Sequence, residues 1–257
     1  MNLLLHGLEY PQLLYGNSLA VPLKDIGDQQ RVDIILTNPP FGGEEEAGIR
    51  SNFPDDKRTS ETALLFLQLI MRKLRRPGRG GSGEGGRAGV VVPNGTLFGD
   101  GVCARIKEDL LKNFDLHTIV RLPNGVFAPY TSIPTNLLFF DRCGPTKEIW
   151  YYELPLPEGR KQYTKTKPLQ FEEFSACLKW WKQREENEYA WKVPVRDVLK
   201  YDDNGALASV NPDVKNPTGA ETLEHLPPEQ LVSDIMQKEQ RILEIMKEIQ
   251  QVLQPEK

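Results

Sequence analysis

One short apolar run with a rigid stop constrains this chain more than any other feature. Val32-Asp33-Ile34-Ile35-Leu36-Thr37 leads directly into Asn38-Pro39-Pro40-Phe41. Such a run, bounded by turn chemistry, predicts a short buried strand. Neither proline can donate a ladder hydrogen bond, so the strand has to end there. A polar amide, a fixed turn and an aromatic ring then stand at the carboxyl end of a strand, which is where open α/β sheets place ligand groups. Read alone, the same four residues also suit a plain strand-terminating turn over a core aromatic.

The rest of the chain supplies the sheet for that strand. The first 20 residues read as a helix remnant followed by a strand edge over 15–19. Residues 42–58 are polar and punctuated by Gly and Pro, which predicts a long mobile loop. Ser60 is expected to cap a helix over 61–75, with an acidic first turn and a basic last turn that complement the helix dipole. Ala88–Pro93 predicts a second buried strand ending in Pro-Asn-Gly turn chemistry. A helix over 102–113 and strands over 116–122, 135–140 and 148–152 follow. Strands alternating with helices predict a mostly parallel sheet covered by helices. The last two strands, joined by a short Gly-Pro connector, predict an antiparallel edge.

Three parts are expected: a core over 1–154, an irregular extension and linker over 155–227, and a C-terminal amphipathic or coiled-coil helix over 228–257. Leu231, Ile235, Ile242, Ile245, Ile249 and Val252 hold heptad spacing, broken by Lys238. That is about three heptads, the threshold for a coiled coil. An amphipathic helix packed on its own domain fits the same residues.

Composition removes several functional classes. Cys103, Cys143 and Cys177 are far apart and His6, His117 and His225 are scattered, so neither a disulfide framework nor a metal site is indicated. No apolar stretch reaches the ~18–20 residues of a membrane span, and the first residues lack a signal peptide's basic region and cleavage site. A reducing, cytoplasmic setting is expected. The net charge of −4 argues against a basic nucleic-acid binder as a whole. Basic residues do gather at Lys57-Arg58 and from Arg72 through Arg87. They fit either a solvated helix end and loop or a phosphate-facing patch. Gly78-Arg79-Gly80-Gly81-Ser82-Gly83 satisfies G-x-G-x-x-G, but a helix precedes it and a strand follows, the reverse of a dinucleotide fingerprint.

Asn-Pro-Pro-Phe matches the signature of amino-methyltransferases, and its atoms suit that chemistry. An exocyclic amine of a nucleobase has its lone pair delocalised into the ring. Two acceptors on its hydrogens favour a tetrahedral nitrogen and stabilise the charge that grows as it attacks a methyl sulfonium, a contribution of about a few kcal/mol per contact. The Asn38 side-chain oxygen and the Pro39 carbonyl are such acceptors. Pro39-Pro40 fixes their geometry in advance, and Phe41 offers a flat face to a base drawn out of its stack.

The wider pattern is specific. Gly16-Asn17-Ser18-Leu19, Asp33 through Gly42, Thr59 through Leu67, Arg87 through Phe98, Leu122 through Thr131 and Asn211 through Pro217 follow one another in an order that resembles the adenine-N6 DNA methylases. They are most similar to the modification (M) subunit of type I restriction-modification systems. The resemblance implies a Rossmann-like methyltransferase sheet, S-adenosylmethionine as cofactor, DNA as substrate, and specificity (S) and restriction (R) subunits as partners. It implies that Asn38 and Pro39 hold the target amine, that Pro40 locks the turn and that Phe41 stacks on the adenine. It places Phe127 against that base from the other side, and Asn17 near the adenine of the cofactor. Asn rather than Ser before Pro-Pro favours adenine over cytosine. The C-terminal helix would contact the specificity subunit.

The chain departs from the family pattern at its start. The Gly-rich loop for the cofactor and the acidic residue for its ribose would lie upstream of Asn38, where only 37 residues stand. The chain is therefore expected to be an N-terminally truncated or split subunit, its sheet lacking the first strands and its activity impaired alone. A protein-glutamine N-methyltransferase and a non-catalytic assembly or DNA-contacting remnant are the competing readings.

Overall fold

In a computed structural model, residues 2–78 and 85–218 are described, with five isolated positions beyond them. The Gly-rich stretch at 79–84 lies outside the described residues, as does nearly all of the heptad segment over 228–257. The elements run in the order α1 (Asn2–Leu5), β1 (Ile34–Thr37), α2 (Ala47–Arg50), α3 (Thr62–Lys73), β2 (Arg87–Pro93), α4 (Gly95–Phe98), α5 (Val102–Asn113), β3 (Asp115–Arg121), β4 (Thr135–Asp141) and β5 (Glu148–Glu153). They continue with α6 (Ser175–Lys182), β6 (Ala190–Pro194), α7 (Val195–Val198), β7 (Leu199–Tyr201) and β8 (Leu207–Val210).

Six strands form one sheet in the order β1-β2-β4-β3-β5-β6. β1 pairs parallel with β2 and β3 with β5, while β4 is antiparallel to both β2 and β3, and β6 to β5. β1, β2, β3 and β5 thus run one way and β4 and β6 the other, which makes the sheet mostly parallel in direction. β7 and β8 make a separate two-stranded ribbon.

Side chains alternate across the strands, as the pleat requires. Leu138 and Phe140 of β4 enter the main core with Val90, Val92 and Ile119, covered by Leu64, Leu67 and Ile70 of α3 and Ile106 and Leu110 of α5. Leu137 and Phe139 project to the other face, where Trp180 and Cys177 of α6 join Val120 and Tyr152. That second cover does not extend across β1. Ile34 is 53% exposed and Leu36 77% exposed.

Several expectations change here. β1 is half-bare rather than buried, because the cover on the α6 side of the sheet does not reach Ile34 and Leu36. Residues 15–19 form a turn instead of a strand, with the Asn17 side-chain oxygen accepting from the Leu19 N–H at 2.9 Å. Glu61, not Ser60, occupies the N-cap of α3, without a side-chain cap bond. The 42–58 loop contains α2 and a 3-10 turn at Asp55–Lys57, anchored by buried Phe53. β4 and β5 do not form the expected antiparallel edge: β4 is central, antiparallel to β2 and β3, and β3 separates it from β5. β6, from the segment read as irregular extension, forms the antiparallel edge.

Candidate active site

β1 delivers Asn38, Pro39, Pro40 and Phe41 to the carboxyl rim of the sheet. Pro39 is buried, Asn38 and Pro40 are exposed, and Phe41 is half-buried. Among the described residues no hydrogen-bond donor engages the Asn38 side-chain oxygen or the Pro39 carbonyl. Gly42 follows with φ +68°, a left-handed turn that a side chain resists. It swings the chain back so that Gly43 accepts from the Thr62 N–H at 3.0 Å and Glu45 donates to the Ser60 carbonyl at 3.0 Å. The tetrapeptide is therefore braced against the start of α3.

The second aromatic reaches the same place from the loop after β3. In that loop Ala128 donates to Gly125 at 3.0 Å, and Tyr130 and Thr131 donate to the Phe127 carbonyl at 2.9 and 3.2 Å. Gly125 has φ +79°, and a Cβ built on it would overlap the Tyr163 carbonyl oxygen. The resulting turn puts the Phe127 ring 5.4 Å from the Phe41 ring, edge to face at 80°. Residues 86 positions apart in sequence thus share one aromatic contact beside Asn38. Asn17 behaves differently: its side-chain oxygen is taken by the turn to Leu19, and no hydrogen bond joins it to Asn38–Phe41 among the described residues.

A polar network missed by sequence reasoning occupies the same rim. Asn136, near the start of β4, donates to Asn94, which follows β2, at 3.0 Å. Asp213 accepts from Arg121, at the end of β3, at 2.7 Å and lies 3.5 Å from the Asn94 amide. Arg121 also donates to the Val214 carbonyl at 2.7 Å, while its Nε is buried without a partner. The Tyr151 hydroxyl donates to Pro212, and Lys107, 3% exposed, donates to the Leu97 and Val210 carbonyls. Burial pushes the Lys107 ammonium below its ordinary range, the nearby Cys103 and Asp100 opposing that shift. Residues 210–214 are in this way strapped across the carboxyl ends of β2, β3 and β5. The available signal was the Asn211-Pro212-Asp213 turn, in which the Asn211 side chain accepts from the Asp213 N–H at 3.0 Å.

The sequence model of the family described as N-6 DNA Methylase matches residues 1–212. This chain belongs to the N-6 DNA methylase family. It is 47% identical to the methylase subunit of the type I restriction enzyme EcoEI of Escherichia coli, over 98% of this chain and 49% of that protein. A structure described as a modification subunit of a type I restriction enzyme from Vibrio vulnificus YJ016 is similar with 66% identity and a TM-score of 0.83, over 87% of this chain and 46% of that one. A chain from a structural study of complex assembly in a type I R-M system is similar over 100% of this chain and 52% of that one, with 41% identity and a TM-score of 0.74. The chain spans about half the length of the relatives it matches.

Membership implies S-adenosylmethionine as methyl donor, a group that the described residues would have to hold. They do not make a cradle for it. Asn17 has committed its oxygen to a local turn, and no Gly-rich turn joins a strand to a following helix among the described residues. Among the described residues, the features gathered at this rim are the Asn38–Phe41 turn and the Phe41–Phe127 contact.

Proposed function

We propose that this chain is the target-base portion of a type I restriction-modification methylase subunit, acting on the N6 amine of an adenine in DNA. The observation that supports it best is the meeting of Phe41 and Phe127 at 5.4 Å beside the acceptors of Asn38 and Pro39. An adenine drawn out of the duplex presents two N–H bonds and an aromatic face. The Asn38 oxygen and the Pro39 carbonyl accept the two N–H bonds. Phe41 and Phe127 take the face, once the edge-to-face pair opens, since a base between two parallel rings needs more room than 5.4 Å between centroids gives. The partners in this reading are DNA, a specificity subunit and a restriction subunit.

A second reading has a specific observation in its favour. The engaged Asn17 and the one-sided β1 fit a chain that contacts DNA or assembles with a partner without transferring methyl groups by itself. Calorimetric titration of the chain with S-adenosylmethionine separates the two. Saturable binding supports autonomous catalysis, and absence of binding at millimolar cofactor excludes it and leaves the assembly role. The β1 edge then becomes the place where a complementary polypeptide would add.

A further inference from the structure

The rim opposite Asn38 carries a second concave site. β1 and β2 begin there and β4 ends there, so Arg31, Leu74, Arg87 and Arg142 are gathered at the far end of the strands from Asn38, Asn94 and Asn136. A cleft of about 870 Å³ opens at this rim, lined by Lys24, Lys57, Arg72, Arg76 and Arg142 among others. That is within the size range of small-ligand sites, roughly 300–1,000 Å³.

Part of this charge has a structural task. Arg142 donates through Nη1 to the Leu74 and Met71 carbonyls at 2.8 and 3.3 Å, and Arg31 donates to the same Leu74 carbonyl at 3.2 Å. Both guanidinium groups thereby satisfy the C-terminal end of α3, which attracts cations. Arg72 donates to the Leu23 carbonyl at 2.8 Å and ties the 22–26 segment to α3. Two carboxylates are also committed: Asp28 pairs with Arg31 at 2.8 Å and Asp109 with Lys57 at 2.7 Å.

That accounting leaves a surplus. Lys24, Arg72, Arg76 and Arg142 have no carboxylate partner among the described residues. Among the described residues Arg76 has no hydrogen-bond acceptor either, and Arg142 bonds there only through Nη1, leaving its Nε and Nη2 without an acceptor. Packing like charges together is unfavourable and persists only where something else compensates it. The Arg142 guanidinium shows the strain: burial, with the charges of Arg31, Arg76 and Arg72 behind it, pulls it down to about 10.

We propose that this cleft binds a phosphate group, held by the free N–H bonds of Arg142 and Arg76 with Lys24 at the mouth. Guanidinium forks match phosphate oxygens in pairs, which is why arginines converge on such anions. The site is separate from the methylation reading, since it lies at the other end of the strands. The phosphate comes either from a free diphosphate or from a nucleic-acid backbone.

The test is calorimetric titration of the full chain with pyrophosphate at physiological salt. Saturable binding is expected, weakened at least about tenfold by Arg76→Glu and by Lys24→Glu, a loss of about 1.4 kcal/mol. Neither side chain makes a hydrogen bond among the described residues, so both variants should melt as the parent does. Asn38→Ala should bind pyrophosphate like the parent whatever its effect on methylation. Displacement of pyrophosphate by a duplex of G·C pairs alone assigns the phosphate to a backbone, and displacement by ADP alone assigns it to a free diphosphate. No saturable heat at millimolar pyrophosphate, or equal affinity in Arg76→Glu, overturns the proposal.

Discussion

Replacing Gly125 by alanine should destabilise the protein far more than one methyl group suggests, and the cost can be built from the geometry. Gly125 sits at φ +79°, where an L-residue loses roughly 1–2 kcal/mol. Its added Cβ would also overlap the Tyr163 carbonyl oxygen. Backbone cannot rotate aside as a side chain does, so the 122–131 loop has to shift. That shift strains the Tyr163 N–H bond to the Asn124 carbonyl, now 2.9 Å and contributing roughly 0.5–1.5 kcal/mol. Together these give a loss of roughly 1.5–3.5 kcal/mol, toward the upper end for a point substitution. Gly159 is the matched control: it has φ +75° and nothing within 4 Å of an added Cβ. Gly159→Ala should therefore show only the backbone strain, roughly 1–2 kcal/mol. Urea unfolding of the two variants side by side reads the difference, with unchanged denaturant dependence confirming the same transition. If the two lose equal stability, the packing of Gly125 against Tyr163 is not what positions Phe127.

Three further outcomes follow from the strap and the bare sheet face. Lys107→Met leaves the Leu97 and Val210 carbonyls without their donor. An orphaned buried group costs about 1–3 kcal/mol, so urea unfolding should show a loss of about 2 kcal/mol after relief of the buried charge, and no change would contradict the strap. Asp213→Ala removes the carboxylate from Arg121, and with both side chains still partly exposed the expected loss is about 1–2 kcal/mol, seen as a lower melting temperature. His117 is held below its ordinary range by burial first and by Arg184, with Asp141 opposing. The unfolded chain therefore binds this proton more readily, and stability should fall as pH drops below about 6.5. Asp115 is shifted up by burial and by Asp141, which acts in the opposite direction nearer pH 4. His117→Gln should flatten the fall below neutrality, and equal slopes in parent and variant would rule His117 out as its source.

What the sequence disclosed follows physical lines. The ends of β1, β2, α5 and β3 were legible to within a residue or two, because prolines, an Asn-Gly turn and helical periodicity mark them locally. Strand order was not, since β4 and β5 are consecutive in the chain while β3 inserts between them. The unbroken apolar run Leu137-Leu138-Phe139-Phe140 carried a usable clue. A strand apolar on both faces is covered on both, and that favours a central position. β6 was hidden because its five residues end in proline and gain their burial only by pairing with β5. Asn17 read as the edge of a strand, yet its side chain mimics a turn.

The tetrapeptide was visible because its chemistry is contiguous. Its meeting with Phe127 came from the family resemblance rather than from spacing, because two glycine turns, at Gly42 and Gly125, bring the rings together. The network of Arg121, Asn94, Asn136 and Asp213 was invisible for the same reason. Each of its members comes from a different stretch of chain.

The central claim is that Asn38 and its neighbours hold an adenine amine, and methyl transfer tests it most directly. The chain would be combined with a polypeptide supplying the remainder of an M subunit and with a specificity subunit, then given DNA and labelled S-adenosylmethionine. Label should appear on the N6 amine of adenine and fall by about a hundredfold or more in Asn38→Ala, the loss typical of removing one preorganised polar contact. Transfer by Asn38→Ala at the parent's rate, or label on cytosine, would contradict the account.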